Sequence, residues 1–136
     1  MPPKAKYSLT EVTKAIDEKR YWFSAPSRSL NEVIPIFEKL GSPKSETEAT
    51  DFILQGLKSL KTDDFVQSVL QWNNPKCVAD VYGAVIAEQP WFIKFRIDED
   101  GLLEEISFHP PNKNMTTVSG KVIPEGDWQD EKQKMR

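Results

Sequence analysis

Apolar residues recur at helical spacing through the first half of the chain and alternate along extended runs in the second. Ser8-Leu9-Thr10-Glu11 has the spacing of a capping box, and Leu9, Val12 and Ile16 follow on one helical face. Ser29-Leu30-Asn31-Glu32 repeats the start signal ahead of Val33, Ile34, Phe37 and Leu40, with Gly41 as a left-handed cap. Pro35 inside this second segment removes a backbone donor and predicts a late start or a kink. Ser45-Glu46-Thr47-Glu48 opens a third helix carrying Ala49, Phe52, Ile53, Leu57 and Leu60. Thr62 is a cap for a short fourth helix through Phe65, Val66, Val69 and Leu70, ended by Asn73-Asn74-Pro75.

The second half predicts strands. Residues 78–86 are β-branched and apolar, with Gly83 as a weak point or bulge. Glu88-Gln89-Pro90 reads as a turn, residues 91–97 as the clearest strand, residues 98–101 as a hairpin loop and residues 102–108 as the return strand. Pro110-Pro111 stops it. Beyond Asn112 the sequence is polar, with residues 116–118 and 121–123 as short strands or a tail laid on the surface. Helices followed by strands give an α+β class, N-terminal helices packed on a small antiparallel sheet. Residues 1–111 read as a single domain and residues 112–136 as an extension: a linker, a surface strap or a partner-binding arm.

Strand alternation sorts the hairpin into two faces. Trp91, Ile93, Phe95 and Ile97 share a core face, and Phe92, Lys94 and Arg96 share the other. A four-residue loop sets Ile97 opposite Leu102, adds Ile106 and Phe108 to the core face, and sends Glu105, Ser107 and His109 to the side of Phe92, Lys94 and Arg96. Lys94 then lies opposite Glu105 as a cross-strand ion pair. One reading of that face is an ordinary solvated sheet surface. The other is a small site. His109, the only histidine, exchanges protons near neutral pH. Lys94 and Arg96 can hold a phosphodiester, and Phe92 can stack on a base. These are the parts for metal-free RNA cleavage by the RNA's own 2′-hydroxyl.

Composition narrows the options. The 136 residues carry 18 basic and 21 acidic side chains, a net charge of −3, which excludes a generally basic nucleic-acid coat and leaves only a local patch for phosphate. Residues 7–112 hold 11 basic and 17 acidic residues, between slightly basic ends. The single Cys77 permits no intrachain disulfide and no cysteine-based zinc site, and reads as an inert buried thiol. No signal peptide or membrane span is legible, so the expected location is the reducing cytoplasm. Trp22, Phe23 and Trp72 read as core or core-edge residues. The acidic turn at residues 98–100 lacks the spacing of a calcium loop.

Residues 54–110 resemble the MqsR family of toxins from bacterial toxin–antitoxin pairs. Gly56-Leu57 followed by Asp64-Phe65-Val66-Gln67-Ser68 is similar to the family's Leu-x-x-x-Asp-Phe-Tyr-Lys-Ser region, and Asp80-Val81-Tyr82 to its Trp-Gln-Asp-Val-Tyr. Phe92-Ile93-Lys94 resembles its Tyr-(Ile/Leu)-Lys strand, and Ile106-Ser107-Phe108-His109 its terminal Ile-Ser-Phe-Lys. The resemblance implies a RelE-like fold, sequence-selective mRNA cleavage without a metal, and a dedicated antitoxin; no cofactor is expected, and the ribosome is a further candidate partner. It places the family's functional lysine, glutamine, tyrosine and lysine at Gln67, Ala79, Phe92 and His109, none of them identical, while Lys94 and Tyr82 match. The expected assignment is therefore His109, Lys94, Gln67 and Tyr82 in the chemistry, and Phe92, Arg96 and Lys94 at the RNA. The alternative is a silent member that keeps the fold and binds RNA, a ribosome or an antitoxin-like protein. On the residues alone, Tyr82 and Asp80 also read as scaffold and Gln67 as the solvated side of a helix.

Overall fold

A computed structural model describes residues 4–71 and 74–126. The chain runs α1 (Leu9–Asp17), β1 (Tyr21–Phe23), α2 (Pro26–Lys39), α3 (Glu46–Ser59), a 3₁₀ turn (Thr62–Asp64), β2 (Phe65–Gln71), β3 (Asn74–Ile86), β4 (Gln89–Ile97), β5 (Leu103–His109), β6 (Met115–Thr116) and β7 (Val122–Ile123). The first five strands form one sheet in the order β1-β5-β4-β3-β2, and β6 and β7 form a separate ribbon. The α+β class holds. The sheet is antiparallel except at one edge, where β1 runs parallel to β5.

The helix starts follow their chemistry. Ser8 Oγ accepts the Thr10 N–H at 3.2 Å. Ser45 and Glu48 exchange both bonds of a capping box, at 3.1 and 3.0 Å. Gly41 sits at φ 77°, the left-handed cap expected of it. Helix α2 departs from expectation. It starts at Pro26, whose fixed φ suits a first helical position, and it runs through Pro35. Ser29 is therefore an interior residue, and its hydroxyl turns inward to the sheet.

The fourth helix is a correction. After one 3₁₀ turn, residues 65–71 form the edge strand β2. Val66 is an extra residue there: Phe65 pairs with Tyr82, but Gln67 already pairs with Val81. The bulge breaks the two-residue alternation, so the apolar spacing imitated a helix. The hairpin register is a second correction. Ile97 pairs with Leu103, not Leu102, around a five-residue loop. Asp98 Oδ1 ties that loop by accepting the N–H groups of Asp100 and Leu102 at 2.9 and 3.0 Å. A bulge at Ile106 then shifts the phase, so that Lys94 pairs with Ser107 and Phe92 with His109. The β3–β4 turn is also tighter than expected. Only Ala87 and Glu88 lie between Ile86 and Gln89, both at positive φ, the backbone of a type I′ hairpin turn.

The helices cover one face of the sheet. Trp91, Ile93, Phe95, Leu103 and Phe108 are buried there against Val12, Val33, Phe37, Ile53 and Leu57. Phe52 makes ring contacts with Phe37, Trp91 and Phe108 at centroid distances of 4.8, 5.5 and 5.8 Å. Burial of such side chains stabilises by about 1.5–3 kcal/mol each. Trp22, by contrast, is 44% exposed on the edge strand, and Trp72 lies outside the described residues.

The opposite face carries the C-terminal segment as a strap. Ile123 and Met115 are buried over Gly83, where a Cβ would stand 2.8 Å from Met115 Cε. Val118 donates its N–H to Phe65 O at 2.8 Å, and Lys121 Nζ bonds the buried Asp64 carboxylate. Among the described residues no helix is long and apolar enough to cross a membrane.

Candidate functional site

Register fixes which side chains meet on the outer face. Gln67, Val81, Lys94 and Ser107 form one cross-strand row, and Gly83, Phe92 and His109 form the next. Lys94 and His109 are thus diagonal neighbours, a separation of about 7–8 Å that long side chains span. The structure brings together Gln67, Phe92, Lys94, Arg96 and His109 on this side of the sheet, opposite the helices.

The imidazole of His109 stacks on the ring of Phe92, with centroids 4.8 Å apart and planes within 12°. Its Nδ1 lies 2.7 Å from Pro110 O. A carbonyl only accepts, so Nδ1 carries the proton. Among the described residues Nε2 has no hydrogen-bond partner, and it is the nitrogen left to take or give a proton. The stack and the carbonyl bond together fix both the plane and the tautomer of the ring.

The two expected cations differ. Arg96 is committed to the buried Glu104 through a bond of 2.6 Å from Nε. Lys94 is half-buried and, among the described residues, has no anionic partner. Burial holds its ammonium below the ordinary lysine range, and the nearby Arg28 pushes it the same way. Arg28 projects from the first turn of α2 and bonds Ile106 O at 3.2 Å. Sequence reasoning missed Arg28, because a residue 78 positions from Ile106 carries no local signal for that contact.

Tyr82, Asp80 and Glu105 lie on the helix side of the sheet. Tyr82 is fully buried on the helix side, stacked on Phe95 at 5.5 Å and 16°. Burial, with Asp80 adding to it, keeps its hydroxyl from ionising. Asp80 on that side anchors the N-terminal segment, accepting from the Lys6 and Tyr7 N–H groups at 3.1 and 2.9 Å and from Ser68 Oγ at 2.6 Å. Glu105, expected opposite Lys94, instead pairs with Phe95 and is 1% exposed. The fifth loop residue is the cause: with Ile97 opposite Leu103, Glu105 falls opposite Phe95 before the bulge at Ile106 is reached. Ser29 Oγ donates to it at 2.9 Å, and burial pushes its carboxyl up to about 7. Ala79, a matching position without a polar group, is fully buried, and Cys77 is a half-buried free thiol.

Beside this face lies a cavity of about 490 Å³. The sheet supplies Val66, Gln67, Val81, Phe92 and His109, and the strap supplies residues 111–116. Such a volume falls within the range of about 300–1,000 Å³ common to small-ligand sites. Among the described residues no cluster of three or more His, Cys, Asp or Glu side chains is placed to hold a metal ion. No family model matches the chain, and no curated protein matches its sequence.

Proposed function

We propose that the protein is a toxin-like, metal-independent endoribonuclease with an MqsR-like, RelE-type fold, acting on single-stranded mRNA in the cytoplasm and held in check by a cognate antitoxin. The observation that carries this reading is the fixed, stacked Phe92–His109 pair with Lys94 on its diagonal. The resemblance of residues 54–110 to that toxin family supports the same chemistry. His109 Nε2 takes the proton of a ribose 2′-hydroxyl, whose oxygen attacks the adjacent phosphorus. The bond from phosphorus to the 5′ oxygen breaks, that oxygen takes a proton from water, and His109 Nε2 releases its own proton to solvent. The products are a 2′,3′-cyclic phosphate and a 5′-hydroxyl. Lys94, assisted by Arg28, holds the phosphoryl oxygens where negative charge develops. Phe92 completes an aromatic surface for a base.

The test is incubation of single-stranded RNA in EDTA, with and without ribosomes. Wild type cleaves and leaves cyclic-phosphate ends. His109→Ala loses about 10²–10⁴-fold, the usual contribution of one acid–base group. A wild type as inert as His109→Ala under both conditions overturns the assignment.

A second reading has its own support. Gln67 offers no charge and Ala79 is buried without a polar group, so the protein could keep the fold and bind RNA, a ribosome or an antitoxin-like partner without cutting. Expression would then leave growth unaffected while a pull-down recovers the partner. Toxicity that depends on His109 rules this out.

A further inference from the structure

The strap gives the outer face a wall that the sheet lacks. Residues 111–116 line the cavity together with Gln67 and the stacked Phe92–His109 pair. The wall is fixed at several points. Pro111 O accepts the Gly126 N–H at 3.1 Å, and Asn114 Oδ1 accepts the Glu125 N–H at 2.8 Å. Met115 pairs with Ile123, which is 1% exposed beneath the ribbon. Asn114 is thus occupied in holding the loop. Asn112 and Lys113 are exposed, and among the described residues their side chains have no partner. Gln67, which lines the same cavity, is likewise exposed and unpartnered among the described residues.

We propose that residues 111–116 form the base-reading wall of a single-stranded RNA site: one nucleobase continues the Phe92–His109 stack, the carboxamides of Gln67 and Asn112 meet its hydrogen-bonding edge, and Lys113 takes a neighbouring phosphate. This rests on the RNA reading above and adds where sequence preference originates. Stacking alone does not select a base, because every base has a π face. Selection needs groups that both donate and accept in the plane of the ring, and a carboxamide does both. Two of them border the same cavity as the aromatic stack. Asn112 and Lys113 belong to the extension past the stretch that resembles the toxin family, so this preference is a property of this chain.

The test uses the full chain and four labelled homopolymeric hexanucleotides with 2′-O-methyl riboses, which block cleavage and leave the base edges intact. Fluorescence anisotropy in EDTA is expected to show at least about tenfold preference for one base over the weakest. Asn112→Ala brings the four affinities within about threefold, and Asn112→Asp, which removes the donor, changes the rank order. Lys113→Ala weakens all four alike and lowers the slope of log affinity against log salt by about 1. All three changes are at exposed positions, and unaltered circular dichroism verifies folding. A wild type without base preference, or a preference unchanged in Asn112→Ala and Gln67→Ala, overturns the wall. Binding that follows this pattern without any RNA cleavage leaves the wall standing and removes only the catalysis. No binding to any oligonucleotide overturns both.

Discussion

His109, Lys94 and Glu105 sit within a few positions of one another in the sheet, yet their surroundings push them to different tasks. His109 is planar-locked by Phe92 and tautomer-locked by Pro110 O, so it can move a proton without first finding its orientation. Replacing Phe92 by Leu keeps bulk and removes the stack. Cleavage by Phe92→Leu is expected to fall about tenfold or more, while His109→Ala falls further, as read in single-turnover assays. Lys94 is held below the usual lysine range by burial first and by Arg28 second. Removing the like charge in Arg28→Gln favours protonated Lys94, so the alkaline limb of the pH–rate profile moves to higher pH. An alkaline limb that stays in place in Arg28→Gln separates that limb from Lys94. Glu105 works on stability instead. Its carboxyl titrates at about 7 in the folded chain against an ordinary 4.5. A raised carboxyl value means the folded state keeps its proton longer than the unfolded one. The contribution is complete below about pH 4.5, and is lost as pH rises through about 7. The difference amounts to about 3 kcal/mol at most. Denaturant unfolding of wild type is expected to show this fall between pH 5 and 8. Glu105→Gln, which cannot ionise, is expected to show little of it and to be the more stable protein at pH 8.

At the scale of elements, local chemistry was legible and phase was not. The Ser45–Glu48 box, the Gly41 cap and the inward row Trp91, Ile93, Phe95 each follow from side-chain types at fixed spacing. What escaped were the two inserted residues and the fifth residue of the β4–β5 loop. Val66 shifts β2 so that Phe65 faces the helices while Gln67 faces out, and Ile106 does the same in β5 for Glu105 and Ser107. Alternation is a rule of period two, and one extra residue reverses every side chain beyond it. Gln67 nonetheless emerges on the exposed side, in a strand rather than a helix, because both readings turned its polar side chain to water. Arg28 and Ser29 were invisible as sheet partners for another reason: only tertiary packing brings the start of α2 to β5. The tight β3–β4 turn was also hidden, since Ala87 and Glu88 are poor residues for positive φ. Both sit at a cost of about 1 kcal/mol or more relative to a residue that prefers that region. Replacing the pair by Asn-Gly, the preferred sequence for this turn, is expected to raise stability by about 1–2 kcal/mol. The measurement is the denaturation midpoint at unchanged m-value, and an unchanged or lowered midpoint contradicts the strain argument.

For the molecule as a whole, the helices and the strap divide the two faces of one sheet between structure and surface. The helix side is dry, with Trp91, Tyr82, Phe95 and Phe108 all fully or nearly fully buried. The strap side is only partly closed, and its closure depends on one small residue. Gly83 pairs with Phe92 and lies under Met115 and Ile123. A methyl group there would meet Met115 Cε at 2.8 Å and Ile123 Cγ1 at 3.1 Å, and the strap is the part that yields. Met115 is a flexible end that can turn aside, so Gly83→Ala is tolerable, whereas the branched side chain of Gly83→Val drives against Ile123 as well. The helix-side core does not touch this position. Gly83→Val is therefore expected to lift β6 and β7 while the main sheet stays folded, which hydrogen exchange reports as faster exchange at residues 115–123 and unchanged protection in β3, β4 and β5. If the strap builds the wall of the site, the same variant loses base preference without losing the stack between Phe92 and His109. Cooperative loss of protection across strap and sheet together would instead make the strap an integral layer of the fold, and the wall and the core would then be one structural unit.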